Sequence, residues 1–247
     1  MNRPSSRVQL ARSYVLHRYP FRDSSLILEV FAREFGRISV FARAARGPRS
    51  HGALLQPFDV LLLSWSGRGE APALTGAEYA AALAPLPAAE LMSAFYLNEL
   101  LLRLTTRHDP QPELFDHYEQ ALGALRAGEG SEAALRRFEV RLLELIGYGL
   151  NLATEADTGR PVRDEACYHF RPGVHGVVLA AKDEQAAIAG EALRRLATGA
   201  KFVNATHGRQ ARALMRAALD HCLEGRELRT RTVARAIGGF PRREGRL

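Results

Sequence analysis

The sequence predicts an α+β protein: a small five-stranded β-barrel of the OB type followed by an all-helical C-terminal domain. Three observations carry this expectation. Short alternating segments fill residues 1–82, the hydrophobic period turns helical after Pro85 and Pro87, and one long basic loop interrupts the strands. With 247 residues and 47% apolar content, the chain is long enough for one large domain or two ordinary ones and can bury a proper core. Global disorder, collagen and small disulfide scaffolds are excluded on composition.

Residues 12–19 and 25–33 are rich in β-branched, leucine and aromatic side chains, with turn residues between them. Gly36 marks a tight turn, and the segment after it alternates strictly. Ile38, Val40 and Ala42 fall on one face, with Arg37, Ser39, Phe41 and Arg43 on the other. The Gly and Pro of residues 44–52 impose a loop. Residues 58–65 form a fourth strand, residues 66–69 a hairpin turn, and residues 73–80 a fifth strand. Five short strands favour an OB-type barrel, although periodicity alone does not separate it from an SH3-like one.

The first helix carries Leu91, Phe95, Asn98 and Leu102 on one stripe, flanked by Leu97, Leu101 and Leu104, and Asp109-Pro110 stops it. Residues 113–126 form a second helix with Leu114, Tyr118, Leu122 and Leu125 inward. Ser131 caps a third, with Leu135, Phe138, Leu142, Leu145 and Ile146 as its buried stripe and Gly147 and Gly149 at its end. Residues 151–176 have no helical period. Helices resume at 184–197 and 209–223, with a short one at 228–237. The expected organisation is a nucleic-acid-binding barrel at 1–82, a helical domain at 83–237 with an irregular excursion at 151–182, and a flexible tail at 238–247.

The charge is unevenly distributed. Residues 1–50 hold ten Arg against three acids, residues 51–200 hold 13 basic and 20 acidic side chains, and residues 201–247 hold 11 basic and four acidic. Two basic ends around an acidic middle suggest a polyanionic partner. An Arg-rich composition explains Arg over Lys but not this segregation. No apolar run approaches the roughly 20 residues that a bilayer crossing needs, and Arg3, Arg7 and Arg12 interrupt any signal-like segment. Cys167 and Cys222 make no disulfide framework. The expectation is a soluble, cytoplasmic protein with no membrane partner.

Catalytic motifs are missing. Ala precedes both lysines, so a P-loop is excluded, and no HExxH, GxSxG or GxGxxG occurs in a fitting context. Cys167, His169 and His175 could be imagined as three metal ligands, but structural zinc wants four ligands in tight pairs. No enzyme activity, metal or cofactor is expected. The basic constellation is more informative. Arg37, Arg43, Arg46 and Arg49 can pair with phosphates, and Phe41 offers a π-face to a base. Arg209, Arg212 and Arg216 share a helical face, either as a second phosphate patch or as a plain solvated surface.

Several ordered motifs resemble those of the bacterial RecO family. They are the run 14–31, Gly36-Arg37, Ala42-Arg43-Ala44-Ala45-Arg46, Leu55-Gln56-Pro57-Phe58, residues 95–101, Leu114-Phe115, Leu135-Arg136-Arg137-Phe138-Glu139 and residues 145–149. The resemblance covers nearly the whole chain. It implies an OB fold, binding of single- and double-stranded DNA in the cytoplasm at the nucleoid, annealing of complementary strands, and action with RecR to load RecA onto DNA coated by single-strand binding protein (SSB). It also implies no nucleotide hydrolysis. Where this family commonly has Lys-Gly, the chain has Arg43-Ala44, which keeps the charge and reduces backbone freedom. Many members carry a four-Cys zinc site after the third helix. Here only Cys167 is nearby, so the chain resembles a zinc-free branch.

An acidic SSB tail ending in a carboxylate and carrying an apolar residue needs an apolar groove bordered by Arg. Arg136 or Arg137 could supply that border, with Arg141 next, or these residues could simply pair with Glu132 and Glu139. The expected function is thus a non-enzymatic recombination mediator. The alternative is a basic adaptor for acidic protein partners, with incidental DNA affinity.

Overall fold

A computed structural model of the chain describes residues 6–45, 51–128, 131–180 and 187–238. The chain forms two compact units, Met1–Arg126 and Ala127–Leu247. Among the described residues, no helix is long and apolar enough to cross a membrane.

In the first unit, strands β1 (Ser6–Phe21), β2 (Ser25–Ala32), β3 (Gly36–Ala42), β4 (Val60–Gly67) and β5 (Ala73–Tyr79) close into a barrel of order β1-β2-β3-β5-β4. All pairs are antiparallel except β3 with β5. Five strands closed in this order are those of an OB barrel. Alternation decides what fills it: Leu26, Leu28, Val30, Ile38, Val40, Ala42, Leu61, Leu63 and Trp65 form the interior.

Helices α1 (Leu91–Leu104) and α2 (Pro112–Ala127) follow the barrel, and their apolar faces cover part of its outside. Phe115 and Tyr118 of α2 pack against Tyr14 of β1 and Phe31 of β2. Polar contacts fix the seat. The Tyr118 hydroxyl donates to Asn98 Oδ1 at 2.5 Å, and Asn98 Nδ2 donates to the Leu16 carbonyl at 2.9 Å. Arg33 grips Asp116 with two bonds of 2.8 Å, and the Tyr14 hydroxyl and Arg12 both donate to Glu119. Burial, together with Glu119 beside it, pushes the Tyr14 phenol well above its ordinary pKa, so it stays a donor. Phe95 and Leu91, expected inward on α1, are exposed. Leu97, Asn98 and Leu101 are buried as expected, and Ala94 and Leu100 join them, so the buried face is displaced to the Leu97 and Leu101 side of the expected stripe.

The second unit contains α3 (Ser131–Leu145), a four-stranded sheet, α4 (Gly190–Thr198), α5 (Ala205–Cys222) and α6 (Arg229–Gly238). The sheet comprises β6 (Asn151–Glu155), β7 (Cys167–Arg171), β8 (Gly176–Leu179) and β9 (Ile188–Ala189), in the order β6-β8-β7-β9. Residues 151–182 were expected to be irregular, and much of that excursion is strand. Segments of two to five residues are too short for alternation to be legible, and their pairing is fixed by partners distant in sequence. On α3 the buried stripe includes Ala134, Arg136, Phe138, Glu139, Leu142 and Leu143, whereas Leu135, Leu145 and Ile146 are half-buried. Helix α4 begins at Gly190 rather than 184, where a Cβ would collide with the Arg163 carbonyl. Helix α5 begins earlier than expected, because Asn204 caps it by accepting a 2.8 Å bond from the His207 amide. The expected tail lies outside the described residues from 239 onward.

Gly36, at the β2–β3 turn, has φ +68°, and an added Cβ would fall on the Asp109 carbonyl, in the loop that connects α1 and α2. Gly36→Ala combines a left-handed backbone with overpacking, and should lower unfolding stability by about 2–4 kcal/mol. A urea titration measures this, and a loss under about 0.5 kcal/mol would contradict the close packing of loop and turn.

Candidate nucleic-acid interface

The outer face of the β1–β2–β3 sheet consists of cross-strand rows, and the helices cover only some of them. Tyr14, Phe31 and Arg37 make one row, His17, Glu29 and Ser39 the next, and Tyr19, Ile27 and Phe41 the third. In the first row Tyr14 and Phe31 lie under α2; in the second Glu29 and Ser39 are buried, with Arg107 from the segment after α1 reaching Glu29, while His17 is exposed. The third is open: Tyr19 is 48% exposed, Phe21 beside it is 38% exposed, and Phe41 is half-buried.

A bulge in β1 sets this phase. Val15 pairs with Val30 on the barrel side, but the next partners are His17 and Glu29, so Leu16 is the extra residue. Beyond it His17, Tyr19 and Phe21 face outward, where unbroken alternation from Val15 would turn them inward. The rings then gather. Phe21 meets Phe41 edge-on at 5.7 Å, His17 meets Tyr19 at 4.4 Å, and the Arg22 guanidinium lies 5.4 Å from the centre of the Phe21 ring. Arg43 is exposed just past Phe41 and forms no ion pair among the described residues.

The expected site residues are therefore distributed unevenly. Phe41 and Arg43 lie at the open face; Arg46 and Arg49 lie outside the described residues. Arg37 does not join the open face. Its side chain is only 14% exposed, donates to the Thr105 carbonyl at 2.7 Å, and pairs with the buried Glu29 at 3.2 Å. Arg107 and Ser39 also donate to Glu29. A buried carboxylate requires such neutralisation, and it draws Arg37 inward. Tyr19, Phe21 and Arg22 are the members that sequence reasoning did not assign to the site. The ring pair at i, i+2 was visible, but the bulge that aims both outward was not.

In the second unit, most of the expected cations already have acidic partners. Arg212 makes a bidentate pair with Glu132 at 2.9 and 2.6 Å, which holds its guanidinium above the usual pKa. Arg216 lies 3.8 Å from Asp220, which also pairs with Arg231. Arg209 is exposed and donates to Thr206 at 2.9 Å. Arg136 is 7% exposed and pairs with the buried Glu139 at 2.6 Å, so it forms part of the helix packing rather than an open border. Arg137 is exposed, with its stem against Gly199, and Arg141 is exposed and pairs with Glu144 at 2.6 Å.

Among the described residues, no three His, Cys, Asp or Glu side chains gather as metal ligands. Cys167 is exposed on β7, with His169 on the same strand, while His175 stacks on Tyr148 and meets the His221 ring edge-on.

Comparison with known proteins covers both units. The family described as "Recombination protein O N terminal" matches residues 8–83, and "Recombination protein O C terminal" matches residues 88–232. The "DNA repair protein RecO" of Methylococcus capsulatus is 45% identical over 232 residues, spanning 94% of this chain and 95% of that protein. The protein of the same name from Alkalilimnicola ehrlichii is 45% identical over 239 residues, 96% of this chain and 94% of the relative. That from Nitrosococcus oceani is 41% identical over 245 residues, 97% and 99% of the two chains.

Ala44, directly after Arg43, has φ +50°, a left-handed conformation that an L-residue adopts at a cost. Ala44→Gly should relieve that strain and stabilise the protein by about 0.5–1 kcal/mol, net of the entropy glycine adds to the unfolded chain. The urea midpoint measures it; a midpoint shifted downward would show that the strain is absent.

Proposed function

The chain belongs to the RecO family of DNA repair and recombination proteins, and on that footing we propose that it is a non-enzymatic recombination mediator that binds single- and double-stranded DNA and anneals complementary strands. The observation that carries this reading is the open barrel row, where Tyr19, Phe21 and Phe41 sit beside Arg22 and Arg43. Guanidinium groups neutralise phosphate, which lets two polyanions approach each other without fuel. Arg46 and Arg49 follow Arg43 in sequence and extend the same basic stretch. Arg209 is the member of the C-terminal set best suited to add a phosphate contact, because it is exposed and donates to a hydroxyl, that of Thr206, rather than to a carboxylate.

The family reading extends to partners. The protein would act with RecR to load RecA onto SSB-coated single strands in the cytoplasm. The acidic SSB tail, with its terminal carboxylate, would meet Arg137 and Arg141 on the exposed side of α3, with Arg136 supporting from within. A basic adaptor with incidental DNA affinity has less support, because Arg212, Arg216, Arg231 and Arg235 already face carboxylates.

Arg43→Ala should weaken oligonucleotide binding several-fold and reduce the slope of log affinity against log salt by about 0.7, the loss of one single-strand phosphate contact. Fluorescence anisotropy over a salt series reads both, and an unchanged slope would take Arg43 out of the interface. Arg137→Glu should weaken binding of an SSB tail peptide several-fold and leave bare-DNA affinity within twofold of the original, since the two ligands use different faces. Equal losses in both assays would contradict that separation. Annealing of SSB-coated complementary oligonucleotides, with and without the protein, tests the reading as a whole; no acceleration would overturn it.

A further inference from the structure

The barrel closes least completely where β5 meets β3. Among the described residues the two strands share a single bridge, Phe41 with Ala73, supported by the Phe41 amide donating to the Pro72 carbonyl at 2.9 Å. β3 ends at Ala42, and the left-handed Ala44, with φ +50°, turns the chain away just where β5 continues to Tyr79. The Ala44 amide donates to the Ser25 hydroxyl at 3.4 Å, which helps to hold that turn. Beyond Ala73, β5 is therefore an edge strand in an otherwise closed wall.

The ladder with β4 fixes which backbone groups are free. The Ala80 amide donates to the Val60 carbonyl at 3.0 Å, so Glu78 and Gly76 face β4 in the same way, opposite Leu62 and Ser64. Ala77 and Tyr79, opposite Leu63 and Leu61, turn their N–H and C=O groups to the other side, and Thr75 is the extra residue of a bulge. Among the described residues nothing pairs with those outward groups. A row of unpaired groups of this kind is a template for a further strand.

We propose that the free edge of β5, from Thr75 to Tyr79, is a docking site for an extended segment of a protein partner, which adds as a sixth strand and turns an acidic side chain towards Arg43. Leu74 and Ala77 are only partly buried against the barrel core and Tyr79 is exposed, so apolar side chains on the inward face of the added strand complete the wall. Arg43 lies two residues beyond Phe41, as Thr75 lies two beyond Ala73, and its exposed guanidinium has no ion pair among the described residues. It favours an acid at that end of the segment. A second copy of this chain fits less well, because two such edges paired antiparallel about Glu78 would bring the two carboxylates together. The proposal stands apart from the DNA-binding reading.

The test uses the full chain and a capped, labelled heptapeptide of alternating valine and threonine with aspartate at one end, made in both chain directions. Amide hydrogen exchange followed by NMR reads the site directly. In the free protein the Ala77 and Tyr79 amides should exchange quickly and the Glu78 amide slowly, and the peptide should slow the first two by about tenfold or more. Methylating the peptide amides that face β5 should weaken binding by about tenfold, read by fluorescence anisotropy. A peptide with lysine in place of the aspartate, or the Arg43→Ala protein, should bind several-fold more weakly. Ala77→Pro removes an outward donor and no bond to β4, so it should abolish peptide binding; the exchange measurement on the unaltered chain stands even if that variant misfolds. Protection by neither peptide direction would overturn the proposal, and equal binding of the methylated peptide would reduce the contact to side chains. Ala77 and Tyr79 amides that are slow before any peptide is added would overturn it too, and their acceleration on dilution would assign the edge to a second copy.

Discussion

The layout of the first unit depends on one buried carboxylate. Glu29 sits on the outer side of β2 but is nearly inaccessible, and Arg37, Arg107 and Ser39 all donate to it. A lone charge in that position would be strongly unfavourable, so the cluster stands or falls together. Arg37 then reaches the Thr105 carbonyl, and the His108 amide donates to the Arg37 carbonyl at 2.9 Å. The segment after α1 is thereby tied along β3, and the helices cover the Tyr14 row while the Tyr19 row stays open. The open face is thus defined by what the neighbouring charge network covers.

The same principle governs the second unit. Its arginines are numerous, yet among the described residues carboxylates from neighbouring turns and helices meet most of them, as in Arg212 with Glu132 and Arg136 with Glu139. Counting cations along the chain overstates the free positive field, since the paired ones stabilise packing and contribute little at a distance. What distinguishes Arg43 from Arg37, six residues earlier on the same strand face, is the local presence of an acid.

Much of the fold was legible from sequence. The five barrel strands and the first three helices are where they were expected, except that β1 starts at Ser6 rather than 12; strict alternation around Val40 and the leucine-rich stripe of 114–125 are strong periodic signals. The small sheet was not legible: strands such as Gly176–Leu179 are too short for a period, and Gly/Pro punctuation disguises them. The candidate site was half legible. Phe41 and Arg43 followed from alternation on β3, where the phase is unbroken. Arg37 shares that phase and was misjudged, since its burial depends on Thr105 and Arg107, which are distant in sequence. Tyr19 and Phe21 escaped notice because the strand that carries them changes phase midway.

That change of phase at Leu16 constrains how this segment can evolve. Point substitutions around it would be judged by ordinary packing, residue by residue. Loss of a single codon there would be a different event: the aromatic side chains would be turned into the barrel and their neighbours out of it, while composition and strand propensity stayed almost the same. The length of the stretch from Tyr14 to Phe21 should therefore matter more than its spelling, so that the strand tolerates substitutions across it far more readily than deletions.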